Sequence, residues 1–304
     1  MGIAPSIAAF ITNCCVALSR TAEDAGRCLT LGKQAVHISE TQLYQILGTQ
    51  GVISLIDDNQ VVIPEWLAEA RNRLAEQDSI RATIAERRQS GEISDLMFFG
   101  GIGFTNVHSV DASAYEGADF VHDLNQPGLS DIVDGPYDMV FDIGTMEHIF
   151  NVPNVLQNIF DVVKVGGSVI HVLPANNVVD HGYYQFSPML FHEYYAANQY
   201  KIIQCMFTEE SAEGGFGEPI QFYPYQPNLA GRPLKSSEEA TYGTAICVQK
   251  SEVSTGDAIP QQGSYENQWN NHHEESQDFQ VHNDLLLYNL RLYQNLKNLQ
   301  IHFL

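Results

Sequence analysis

Basic residues are scarce in this chain: 15 Lys and Arg stand against 37 Asp and Glu, a net charge of −22 over 304 residues. Nucleic-acid binding neutralises phosphates with basic side chains, and none cluster here, so no nucleic-acid partner is expected. The same field repels anionic membrane surfaces, so no membrane partner is expected either. Small neutral or cationic ligands suit it better. Cysteine is also sparse. Cys14, Cys15, Cys28, Cys205 and Cys247 form no CxxC and no zinc spacing, which predicts reduced, mostly buried thiols in a cytoplasmic protein. No GxGxxG opens a helix after a first strand, which disfavours a NAD-dependent Rossmann enzyme. Internal repeats are absent.

The apolar stretch Ile3–Leu18 lacks the basic flank of a signal peptide: the first basic residue is Arg20, and Thr12 and Asn13 interrupt the run. Ile3, Ile7, Phe10, Ile11, Cys14 and Leu18 share one helical face, predicting an amphipathic helix within residues 1–26 that packs on the main body.

The most telling segment is Tyr137 to Pro174, YDMVFDIGTMEHIFNVPNVLQNIFDVVKVGGSVIHVLP. It reads as a buried strand (Tyr137–Ile143), a turn with Gly144, Thr145, Glu147 and His148, a helix, a Lys164–Gly167 turn and a second buried strand (Ser168–Leu173). Short apolar runs separated by a helix indicate a βαβ unit in a parallel sheet covered on both faces. Ligands of such sheets sit outside the carboxyl ends of the strands. Polar residues gather there: Asp142, Glu147 and His148 after one strand, Asn176, Asn177 and His181 after the next.

This segment resembles the second half of the class I S-adenosylmethionine-dependent methyltransferase fold, with Val163-Lys164-Val165-Gly166-Gly167 standing where that family has L-K-P-G-G. The longer string through PANN and DHGYYQFSP resembles a small-molecule subgroup. The resemblance covers roughly residues 26–250. It implies a Rossmann-like, doubly wound seven-stranded α/β sheet with helices on both faces and an antiparallel edge strand.

For the first strand, Arg27–Ile38 reads as strand then glycine turn, with Ser39 as N-cap before a helix over Glu40–Leu47. Phe98-Phe99-Gly100-Gly101-Ile102-Gly103 is a rival glycine turn, but the strand at Val107–Val110 follows too soon for a crossover helix. Ser94–Phe104 therefore reads as a helix with a C-terminal glycine turn. The subgroup carries its cofactor turn at L-T-L-G-x-Q, so the resemblance places Gly32, Lys33 and Gln34 at the methionine end of S-adenosylmethionine. It places Asp111, ending the second strand (Asn106–Val110), at the ribose, and Asp123, after the third strand (Ala118–His122), at the adenine amine. Asp142 and Gly144 complete that cofactor set. Asp111 lies 79 residues past Gly32 (111 − 32), so residues of about 52–92 read as a helical insertion, either a lid or a solvated decoration.

Methyl transfer needs near-attack geometry, worth about 7–11 kcal/mol of pre-organisation, and a base only when the nucleophile starts protonated. His148 and His181 are the candidate bases. Glu147, Asn176, Tyr183 and Tyr184 are the candidate acceptor-binding residues. A metal-assisted variant would need carboxylates after both strands, and Asn176-Asn177 stands at the second position, so no metal is expected. His272-His273 reads as solvated loop.

Ser187–Ala197 reads as a helix, Tyr200–Phe207 as a sixth strand, Glu209–Glu239 as an irregular loop that shapes the acceptor pocket, and Tyr242–Gln249 as a seventh strand at the sheet edge. Residues 251–304 read as a polar linker and a C-terminal helix that docks on the body or pairs two subunits, making a homodimer possible. A chain that binds the cofactor without catalysing is the competing expectation.

Overall fold

The computed structural model describes residues 2–20, 25–57, 60–81, 91–211, 220–227 and 240–263. In chain order its elements are α1 (Pro5–Ala17), β1 (Gly26–Leu31), α2 (Glu40–Thr49), β2 (Ser54–Asp57), β3 (Gln60–Val62), α3 (Glu65–Arg81), α4 (Asp95–Gly101), β4 (Phe104–Asp111), β5 (Phe120–Val121), β6 (Tyr137–Ile143), α5 (Val152–Val162), β7 (Val163–Asn176), α6 (Pro188–Ala197), β8 (Lys201–Ser211), β9 (Gln221–Pro224) and β10 (Ala240–Gln249). The expected C-terminal helix lies outside the described residues.

Eight strands form one sheet in the order β5-β4-β1-β6-β7-β10-β8-β9, and β2 and β3 pair separately. The five strands from β5 to β7 are mutually parallel. β1 thus lies between β4 and β6, with Leu31 beside Val110 on one side and Asp142 on the other. Every residue of β6 is buried, including Asp138 and Asp142, as its otherwise apolar run leads one to expect of a central strand. β10 is antiparallel to both β7 and β8. It was expected at the sheet edge, but it is flanked on both sides, and the outermost strand is β9, inside the stretch read as irregular loop.

Each face of the sheet carries its own apolar core. One gathers Ile3, Ile7, Leu43, Phe98, Phe99 and Phe141 beneath α1, α2 and α4; the other gathers Val155, Ile159, Phe191, Tyr195 and Ile246 beneath α5 and α6. Local chemistry supports these assignments. Ser39 accepts from Gln42 N while the Gln42 side chain accepts from Ser39 N, a reciprocal cap that starts α2. Ser94 caps α4 by accepting from Met97 N at 3.1 Å.

Three sequence expectations need correction. α1 is buried on nearly all sides rather than along one stripe: Ala8, Ala9, Thr12, Asn13 and Cys15 are as enclosed as Ile7 and Ile11. Its polar positions are satisfied internally, Thr12 Oγ1 donating to Ala8 O at 2.8 Å and Asn13 Oδ1 accepting from Gln204 Nε2 at 2.6 Å. Lys164–Gly167 is not a turn before β7 but its opening residues, where Gly166 N donates to Lys250 O and Lys250 N to Gly167 O. Residues 251–263 are docked rather than loose: Thr255 N donates to Asn198 O, Ala258 O accepts from Asn198 Nδ2, and Gly256 lies against the Phe160 ring. In the insertion, Leu67 and Ala70 of α3 are buried in the α4 core and Arg71 pairs with Glu40 at 2.7 Å.

Asp138, at the start of β6, ties the amino ends of the sheet together. It accepts from Arg20 Nη1 and Arg27 N, each at 2.9 Å, and pairs with Lys164. Gly26 has φ +87°, and a Cβ there would run into the Asp138 carboxylate. Burial alone would raise the Asp138 carboxyl, but Lys164, the Arg27 amide and Arg20 outweigh it and hold it below the usual carboxylate value. A group depressed on folding adds stability above its unfolded pKa, and that stability is lost as pH falls through the folded one. Asp138→Asn is therefore expected to lower stability by about 2 kcal/mol at neutral pH. The gap to wild type should close below roughly pH 3.9, read by urea melts across pH; a gap independent of pH would count against the ion cluster.

Candidate active site at the strand rim

The carboxyl ends of β1, β4 and β6 meet at one rim, and glycine turns open it. Gly32 follows β1 with φ +72°, a conformation disfavoured for residues bearing a Cβ, and a Cβ there would approach Thr145 Oγ1 to 2.8 Å. Gly32 N donates to Val110 O at 2.7 Å, which keeps the turn flush with β4. Thr145 Oγ1 donates to Leu31 O at 2.6 Å, binding the turn after β6 to the turn after β1. Gly144, beside it, also has positive φ, +73°.

Gln34 is 7 % exposed and folds back over this turn, its Nε2 donating to Leu31 O at 3.0 Å. Its Oε1 is buried with no hydrogen-bond partner. A buried acceptor left empty costs about 1–3 kcal/mol, so this atom marks a place where a donor belongs. Lys33 points away, forming an ion pair with Asp95 at the start of α4. Asp111 ends β4 half-buried, with Oδ1 accepting from Ser113 N at 3.3 Å. Asp123 is exposed, and its Oδ1 accepts from Asn125 N at 2.9 Å and Asn125 Nδ2 at 2.8 Å. Those two bonds hold its carboxyl below the usual value, so its side chain acts in the turn it starts.

Asp142 was expected at the cofactor, but it has no surface to offer a ligand. It is fully buried, with Oδ1 accepting from Met146 N at 3.1 Å and Oδ2 2.7 Å from His171 Nδ1. His171 Nε2 in turn lies 2.6 Å from Tyr195 Oη, and the imidazole stacks on Phe191. Burial drives the Tyr195 hydroxyl far above its usual pKa, so it stays protonated and donates to His171. This Asp142–His171–Tyr195 chain was not foreseen. The available signal was His171 itself, a polar residue inside the buried run Val-Ile-His-Val-Leu that required a partner.

Past Gly144 a short 3-10 turn, Met146–His148, carries Glu147 and His148. The loop after β7 brings His181 beside them: Nε2 of His148 and of His181 lie 3.7 Å and 3.4 Å from Glu147 Oε1. The two imidazole centroids are 5.0 Å apart. Glu147 has zero exposure, while the histidine side chains are 46 % and 36 % exposed. Burial first, then the Asp142 charge, pushes the Glu147 carboxyl up to about 7. Burial lowers both histidines below their usual value, with His181 adding to the shift of His148.

Around this cluster Tyr184 Oη donates to Phe150 O at 2.8 Å, and the exposed rings of Phe150 and Tyr183 meet edge-on at 6.0 Å. Phe150 was not singled out from sequence; it is 71 % exposed, which a core phenylalanine would not be. Asn176 ends β7 exposed, its Oδ1 accepting from Asn177 N at 2.9 Å. The expected residues thus separate into a turn group (Gly32, Gln34, Asp111, Gly144) and a second group on the Met146–His148 turn and the loop after β7 (Glu147, His148, His181, Tyr183, Tyr184). Lys33, Asp123 and Asp142 are engaged elsewhere.

A cleft of about 410 Å³ opens between α3 and α4, bordered by Glu65, Glu69, Arg73 and Gly103. It lies at the amino end of β4, the wrong end of a parallel sheet for a ligand of this fold.

The strand order and the glycine turns at the carboxyl rim define a Rossmann-like α/β domain whose strand order reverses between β1 and β6. No family model matches the chain, and no curated protein does. Among solved structures it is similar to TehB from Haemophilus influenzae, 10 % identical over 69 % of this chain and 67 % of that one, TM-score 0.35. It is also similar to a SAM-dependent methyltransferase, possible histamine N-methyltransferase, from Thermotoga maritima: 13 % identical, 51 % and 77 % covered, TM-score 0.33. A third is the YcgJ protein from Bacillus subtilis, 12 % identical, 79 % and 98 % covered, TM-score 0.36. Among the described residues no helix is long and apolar enough to cross a membrane.

Proposed function

We propose that this chain is an S-adenosylmethionine-dependent methyltransferase acting on a hydroxyl or amine of a small molecule, by in-line transfer. The observation that carries the reading is the orphaned Gln34 Oε1 beside the positive-φ Gly32 turn at the end of the central strand. When bound, the cofactor supplies an electrophilic methyl on a sulfonium. Gln34 Oε1 would accept from its ammonium group, the Gly32 turn would bring backbone to its methionine end, and the half-buried Asp111 carboxylate would accept from ribose hydroxyls. Asp123, held in its own turn, would serve the adenine through the backbone that follows it.

The acceptor enters on the side of His148 and His181, beside the exposed rings of Phe150 and Tyr183. A histidine Nε2 there can take the proton of an acceptor hydroxyl as its oxygen becomes nucleophilic, a contribution of roughly 10²–10⁴-fold. The net charge of −22 favours a neutral or cationic acceptor, such as a natural product or sugar-like metabolite. Calorimetric titration separates the alternatives. Saturable binding of S-adenosylmethionine, no binding of NAD, and an affinity at least about tenfold weaker in Asp111→Ala are expected, since two hydrogen bonds to a charged group are lost. Binding with no turnover across a broad acceptor panel would instead make the chain a cofactor-binding module.

A further inference from the structure

Glu147 is anomalous among the buried polar residues. Its side chain has no exposure, yet neither carboxylate oxygen accepts a hydrogen bond from another residue. A buried carboxylate without partners is strongly disfavoured, and it is relieved either by holding a proton or by meeting a cation. The Nε2 atoms of His148 and His181 lie 3.7 and 3.4 Å from Glu147 Oε1. These separations are long for hydrogen bonds to a carboxylate. They suit atoms that share one ion: ligands about 2.1 Å from a metal at a tetrahedral angle lie roughly 3.4 Å apart. One ligand atom from each of the three residues falls within 4.8 Å of the others.

We infer that Glu147, His148 and His181 form a site for a divalent first-row transition ion. The backbone is built to hold them together. Gly182 follows His181 directly, and a Cβ on it would lie 2.7 Å from Glu147 O. Tyr184 N donates to that same carbonyl at 3.2 Å, which seats the loop on the Glu147 turn. Two imidazoles and one carboxylate select zinc- or iron-like ions over magnesium and calcium, which prefer an all-oxygen shell. Three protein ligands leave at least one position open, and the exposed histidine edges place that position toward solvent. On the methyl-transfer reading, and resting on it, the open position receives the acceptor oxygen. A bound ion, rather than an imidazole, would then lower the pKa of that hydroxyl, its proton passing to solvent at the exposed face.

The test is calorimetry on the full chain after treatment with a chelator, titrating zinc chloride and, separately, magnesium chloride. One zinc per chain and no magnesium at the same concentrations are expected. His181→Ala and Glu147→Gln should each weaken zinc binding at least about tenfold, and a His272→Ala/His273→Ala variant should bind as wild type does. His181 is on the surface, so its variant decides the matter even if Glu147→Gln fails to fold. No saturable zinc binding, or undiminished affinity in His181→Ala, overturns the site. A parallel titration with S-adenosylmethionine keeps the two readings apart: zinc without cofactor removes methyl transfer alone, and cofactor without zinc removes the metal site alone.

Discussion

Gly32→Val is expected to abolish S-adenosylmethionine binding, lowering affinity at least about a hundredfold, or roughly 2.7 kcal/mol. Gly32 sits at φ +72°, where a β-branched residue is strained by about 1–3 kcal/mol, and its Cβ would approach Thr145 Oγ1 to 2.8 Å. Relief of that contact displaces Thr145 from Leu31 O, so the turn must open where Gln34 presents its empty acceptor. The strain is local to the rim, and both apolar cores lie beneath it, so the variant should still fold. Calorimetric titration beside a thermal melt reads both quantities. A folded variant with unchanged affinity would remove this turn from the cofactor site.

The largest expected loss of stability comes from Asp142→Ala, about 3–5 kcal/mol, because it strands His171 Nδ1 and the Met146 amide in a dry interior. Asp142, His171 and Tyr195 are all buried, and removing one end leaves the others without exchange partners in water. Asp142→Asn, which keeps an acceptor for Met146 N, should cost less. Urea melts of the three proteins measure the order. A loss below about 1 kcal/mol for Asp142→Ala would mean that water reaches the chain of hydrogen bonds.

The central sheet was legible because its strands are short, mostly apolar runs: Met139, Val140, Phe141 and Ile143 mark an inner strand, and Asp138 and Asp142 are tolerated there because each has partners. Ser39 and Ser94 marked helix starts for the same kind of local reason, an oxygen in reach of unpaired amides. The position of β10 was not legible from its own residues, since an antiparallel strand pairs equally well with one neighbour or two, and β9 lay in a stretch without periodicity. α1 misled because its small residues, Ala8 and Ala9, fill a packed interface that a hydrophobic stripe does not reveal. At the candidate site, the turn at Gly32 was legible as a strand followed by a glycine, and it has the positive φ such a turn uses. The convergence of Glu147 with His181, 34 positions apart (181 − 147), was not, because the loop after β7 has no period and its seat on the Glu147 carbonyl appears only in three dimensions. Asp142 looked available for the opposite reason: nothing near it in sequence announces His171.

The wedged place of β10 also governs how the chain leaves the ribosome. β7 ends at Asn176, and the strand that pairs with its outer edge begins at Ala240, 64 residues later (240 − 176). Until β10 emerges, β8 and β9 have only each other to pair with, and the nascent sheet shows a bare row of amides and carbonyls along β7. Such an edge is an invitation to another chain, so the interval in which residues 177–239 are synthesised is when this protein is most exposed to aggregation.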